Sequence, residues 1–137
     1  MGSVVVEPST RCAIDAVTAL RLVRDDGARR PLVGPAVLRS HALSMLYRDV
    51  RRGVLDEKTA RARLDGIATL KIRLLGDRVS RATAWRIARE LDAADTAVAE
   101  YVAVAVLQAD VLVTDDADVA AAADGRIPLA TYDDLLR

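Results

Sequence analysis

Two rhythms of apolar and polar positions alternate along the chain. Short apolar runs, which read as strands, are separated by longer stretches with apolar residues every three or four positions, which read as helices. Arg11-Cys-Ala-Ile-Asp15 is the first such run, and it ends in an acid. Ala16 to Arg24 then places Ala16, Ala19, Leu20 and Val23 on one face, predicting a helix closed by the turn Asp25-Asp26-Gly27. Pro31-Leu-Val-Gly-Pro35 is a short extended piece, and Pro35 opens a helix over residues 36–52. That helix turns Val37, Leu38, Ala42, Met45, Leu46 and Val50 inward and stops at Gly53. Asp56 caps a further helix over residues 57–70.

Lys71 to Gly76 reads as the next strand, and Ser80 begins a helix carrying Ala84, Trp85, Ile87, Ala88 and Leu91. Ala93 to Gln108 is nearly all small or apolar, so a helix buried on most sides is expected. Val111 to Thr114 is a strand of the buried type, and Asp116 to Asp124 is a short alanine-rich helix. Ile127 to Ala130 is a last strand, on an edge because Pro128 cannot donate to a ladder. Strands alternating with helices predict an α/β fold. Its mainly parallel sheet is covered on both faces, a three-layer α/β/α sandwich.

Composition bounds this picture. With 137 residues, 52% hydrophobic and 29% charged, the chain suits one folded domain, over residues 11–137, after an N-terminal extension over 1–10. Cys12 is the only cysteine, so no disulfide forms within the chain, and inside a strand it should be buried and inert. The longest unbroken apolar run, Tyr101 to Leu107, is far too short to cross a membrane. Gly2 to Thr10 has no basic start and no long apolar stretch, so no signal peptide is read there and a cytoplasmic location is expected.

Twenty basic and twenty acidic residues cancel, so the total charge names no partner. Only Lys58 and Lys71 are lysines. The arginine bias is read first as the mark of a GC-rich genome and only second as functional. Arginines crowd residues 29–63 and acids crowd the end of the chain. That distribution suits a metal at one end and phosphates at the other, and equally an ordinary solvated surface. Arg48, Arg51 and Arg52 end the second long helix, where cations complement the helix dipole or contact RNA phosphates.

Several chemistries find no support. GxGxxG and GxxxxGK[ST] are absent, one Cys and one His make no zinc site, and no nucleophile elbow accompanies His41. Acids at strand ends remain. In an open parallel sheet, ligands bind beyond the carboxyl ends of the strands, near the reversal of strand order. Asp15 ends the first strand, Asp115 and Asp116 follow the strand at 111–114, and Asp95 lies in the first turn of the long apolar helix. If these strands are neighbours, the carboxylates converge and repel unless a cation neutralises them. Oxygen ligands suit Mg²⁺ or Mn²⁺, which can activate water against a phosphodiester. Taken singly, each acid is a helix cap or a dipole partner. Glu100 falls off the helix face of Asp95 and is not read as a ligand. Trp85 reads as a core or dimer-interface aromatic, or else as part of a groove for a partner helix.

The order of these acids and elements, over about residues 11–137, resembles the PIN-domain ribonucleases, in particular the VapC-type toxins of bacterial toxin–antitoxin modules. The likeness rests on Ala13-Ile-Asp15-Ala-Val-Thr-Ala-Leu20, Gly34-Pro-Ala-Val-Leu-Arg-Ser40, Ala94-Asp-Thr-Ala-Val-Ala-Glu-Tyr-Val-Ala103 and Leu112-Val-Thr-Asp-Asp116. It implies a metal-dependent endoribonuclease in which Asp15, Asp95 and Asp116 hold Mg²⁺ or Mn²⁺. Thr114 would orient the site, with His41 and Asp115 as further candidates. It also implies an RNA substrate, a cognate antitoxin and a homodimer. Two positions depart from the family pattern. His41 stands where the family carries a Glu, and Val17 where it favours a small hydroxyl residue, with Thr18 next along. A His can ligate Mn²⁺ but is a poor ligand for Mg²⁺. The second reading, from a different class, is a PIN-like domain without catalysis that binds a protein or RNA partner.

Overall fold

The structure, a computed structural model, describes residues 4–137, so residues 1–3 of the expected extension lie outside the described residues. Residues 4–10 form neither helix nor strand, although Val6 packs against the core. The chain then runs through β1 (Cys12–Ile14), α1 (Ala16–Arg24), β2 (Leu32–Pro35), α2 (Leu38–Arg51), α3 (Glu57–Thr69) and β3 (Arg73–Leu75). It continues through α4 (Arg78–Glu90), α5 (Ala97–Gln108), β4 (Val111–Val113), α6 (Ala117–Ala123), β5 (Leu129–Ala130) and α7 (Asp133–Leu136).

The five strands lie in the order β3-β2-β1-β4-β5, and every pairing is parallel. Strand order reverses between β1 and β4, which pair Cys12 with Val111 and Ile14 with Val113. The strand expected beside the one ending at Asp15 is therefore its neighbour, and β5 is an edge, as Pro128 requires. Helices α1, α2 and α3 pack on one another, and α4, α5 and α6 form a second group. The three-layer sandwich follows. β1 and β4 are buried along their whole length, because a parallel sheet is covered on both faces. Among the described residues no helix is long and apolar enough to cross a membrane.

Several boundaries differ from the sequence expectation. Pro35 ends β2 instead of opening a helix, and the Ala36 N–H behind it donates to the Leu75 carbonyl at 2.8 Å. α2 starts only at Leu38, and its approach to β2 depends on Gly34, where a Cβ would stand 2.8 Å from Leu38 Cδ1. Asp77 caps α4 by accepting from the Ser80 N–H at 2.8 Å, so the helix begins before Ser80. α5 begins at Ala97, four residues after the expected Ala93. Trp85 is 65% exposed, because α4 buries Ser80, Ala84, Ile87 and Ala88 and leaves Trp85 off that face. It is no core residue. Cys12 is fully buried as expected, and burial pushes its thiol pKa up to about 11.

The carboxyl end of the chain is clasped onto α1. Tyr132 donates to Asp25 Oδ2 at 2.7 Å, and the Arg21 guanidinium carbon lies 3.7 Å from the centre of its ring. Tyr132→Phe keeps the ring and removes the hydrogen bond, so a loss of about 1 kcal/mol is expected in urea unfolding. An unchanged midpoint would show that the clasp adds nothing to stability.

Candidate functional site

Beyond the carboxyl ends of β1 and β4, two acids are fixed by the same hydroxyl. Asp15 follows β1 directly and caps α1, accepting from the Thr18 N–H at 2.9 Å, and it is 4% exposed. Thr114 follows β4, donates its hydroxyl to the second oxygen of Asp15 and accepts from the Asp116 N–H at 3.0 Å. Asp116 in turn caps α6, its Oδ1 accepting from Asp118 and Val119 N–H groups at 2.8 and 3.1 Å. The capping role and the site role thus coincide. An extended residue leaving a parallel strand toward a helix needs a side-chain acceptor for the first-turn N–H groups, and both acids supply one.

The acids border a cavity of about 250 Å³ at the switch in strand order, where open α/β sheets bind ligands. α2 contributes His41, Ser44, Met45 and Arg48, a single helical face at three- and four-residue spacing. α5 contributes Ala97, Val98 and Tyr101 from its first turns. His41 Nδ1 lies 2.7 Å from the Tyr101 hydroxyl, with the rings 5.7 Å apart. Burial, and next the Asp15 charge, push the Tyr101 phenol well above its ordinary pKa, so it keeps its proton and can donate to His41. The cavity therefore has an acidic floor, a hydrogen-bonded His41–Tyr101 pair, one guanidinium at its rim and walls that are otherwise apolar.

Asp15, Asp116 and His41 all line this cavity, and Thr114 sits behind the two acids. Asp115 is turned away, its carboxylate 3.4 Å from Arg21 and 76% exposed. Asp95 is not brought to the cavity. Because α5 starts at Ala97, Asp95 precedes the helix, is exposed, and accepts from the Ala97 N–H at 3.0 Å. It borders a separate depression with Trp85 and Arg89. Beside Asp15 and His41, α5 presents Tyr101, and Ala97 and Val98 line the same cavity. The expected three-carboxylate cluster is thus not assembled. Among the described residues no group of three or more His, Cys, Asp or Glu side chains is placed to hold a metal ion. Asp15 and Asp116 are thus the two carboxylates at the cavity, beside a His engaged with Tyr101 and otherwise apolar walls, and the expected three-carboxylate Mg²⁺ or Mn²⁺ centre is not formed.

Tyr101 and Arg48 complete the lining of the cavity, and the sequence pattern does not join them to its acids. Arg48 was legible in principle, being seven residues and two helical turns after His41. Tyr101 carried no such signal, because the helix around it has apolar residues on nearly every side.

No family model matches the chain, and no curated protein is significantly similar to it in sequence. Solved structures are similar in fold. PAE2754 from Pyrobaculum aerophilum superposes with a TM-score of 0.67 at 21% identity, over 90% of each chain. VapBC2 from Rickettsia felis, solved bound to a DNA fragment from the promoter, gives a TM-score of 0.62 at 6% identity, over 88% of this chain and 98% of that one. At these identities the likeness is one of fold, and the fold is the PIN-like sandwich.

Proposed function

We propose that this protein is a PIN-like domain that acts by binding, taking a segment of a partner protein into the cavity between α2 and α5. The observation that carries this reading is the lining that α5 gives the cavity, Ala97, Val98 and Tyr101, with no carboxylate to join Asp15 and Asp116. What remains is a small, largely apolar cavity with two acids at its floor. Such a site suits a segment that inserts apolar side chains and sets one cationic side chain against Asp15 and Asp116. Val17, 48% exposed at the border of the cavity, extends the apolar surface outward. The resemblance to VapC-type toxins makes a cognate antitoxin the partner of choice. It also carries the proposal of a homodimer, which sedimentation equilibrium tests.

A metal-dependent ribonuclease is the second reading, favoured by the link from Asp15 through Thr114 to Asp116. Mg²⁺ can be held by one or two carboxylates while keeping its waters, and Arg48 could meet an RNA phosphate. A bound divalent ion would supply an activated water there.

One experiment separates the two. The full chain is incubated with single-stranded RNA and Mg²⁺ or Mn²⁺, beside Asp15→Asn and Asp116→Asn. Cleavage no greater than in the variants is expected. Cleavage by the wild type that both variants lose would overturn the binding reading and establish the nuclease.

A further inference from the structure

A second cavity lies at the opposite end of the sheet from Asp15 and Asp116, and nothing in the proposed function uses it. Because β2 and β3 run parallel, the segments entering them arrive at the same edge. Arg29 and Arg30 precede β2, Lys71 precedes β3, and Arg73 is its first residue. The four cations border a cavity of about 580 Å³ that no acidic residue lines. Leu32 and Ile72 form part of its apolar wall.

Among the described residues, none of the four cations makes an ion pair. Arg30 donates from one terminal nitrogen to the Arg29 carbonyl at 3.0 Å, while its Nε is enclosed and has no hydrogen-bond partner. A buried N–H without an acceptor is costly, and an anionic oxygen is the acceptor that guanidinium geometry favours. Asp134 is near enough to sense Arg30, but its carboxylate is occupied by the Thr131 N–H and hydroxyl at 2.9 and 3.0 Å. Four like charges around one cavity repel one another unless an anion enters.

We propose that this cavity binds a small molecule carrying a chain of two or more phosphates. Two arginines and a lysine from adjoining strand entries give both forked and point-charge donors to the oxygens, with a further arginine at the edge. The volume suits a small ligand, and the apolar wall offers a surface for an attached ring. The recognition is made by side chains, which is consistent with the absence of a glycine-rich phosphate loop in the sequence.

The test is calorimetric titration of the full chain with sodium triphosphate, adenosine triphosphate and a single-stranded RNA 12-mer, each at matched ionic strength. Saturable triphosphate binding is expected. It should weaken at least tenfold in Lys71→Gln/Arg73→Gln and be unchanged in Arg86→Gln, an exposed arginine on α4. Tighter binding of adenosine triphosphate than of triphosphate would assign the apolar wall to a base, and equal binding would assign the phosphate chain alone. No saturable triphosphate binding, equal weakening in Arg86→Gln, or RNA binding through Lys71 and Arg73 without triphosphate binding would each overturn the proposal. Arg30→Gln gives a second measurement should the double variant unfold, with the same weakening expected.

Discussion

The double variant Val98→Asp/His41→Glu is expected to gain a Mn²⁺-dependent rise in melting temperature that the wild type lacks. Both positions face the cavity bordered by Asp15 and Asp116, so the two changes would bring four carboxylates to one place. Without metal these charges repel, and the variant should melt below the wild type. With Mn²⁺ at about a hundred times its dissociation constant, binding to the folded state alone returns about 2.7 kcal/mol, a shift of several degrees. Val98→Asp alone should gain part of that shift. A wild type that is itself stabilised by Mn²⁺ would show that Asp15 and Asp116 suffice for a metal. It would also remove the main support for a purely binding role.

Asp15→Ala is expected to be the most damaging single change at the site, costing about 3 kcal/mol in denaturant unfolding. Loss of an N-cap acceptor accounts for about 1 kcal/mol. The remainder comes from leaving the half-buried Thr114 hydroxyl without its acceptor, at about 1–3 kcal/mol. Asp15→Asn keeps a capping oxygen and should lose clearly less. Asp95→Ala, which removes one exposed contact to the Ala97 N–H, should cost under about 1 kcal/mol. Equal costs at positions 15 and 95 would contradict the unequal burial of the two acids.

The contrast between those acids shows where the sequence stops being informative. Asp15 and Asp116 were legible because each directly follows a short apolar strand, and a strand end in a parallel sheet has a known direction. The pairing of β1 with β4 then places them together. His41 was legible as well, since α2 has a polar face and its residues at positions 41, 44, 45 and 48 share one side at helical spacing. Asp95 failed for a local reason. The stretch after Asp92 looks helical in composition, yet Asp92 adopts a left-handed conformation, φ 52°, and the helix begins only at Ala97.

The alternation of strands and helices, the parallel sheet, its edge at β5 and the two acids at its centre can all be read along the chain. These follow from periodicity and strand chemistry, which act between near neighbours in the chain. Which residue of α5 meets α2 is set by packing in three dimensions. A helix apolar on nearly all sides has no polar stripe to fix its rotation, so packing against β2, β1 and β4 sets it and turns Val98 and Tyr101 to the cavity. The cluster of Arg29, Arg30, Lys71 and Arg73 was equally hidden. Its two halves are some forty residues apart in the chain and meet because β2 and β3 pair in parallel, a contact no local pattern encodes.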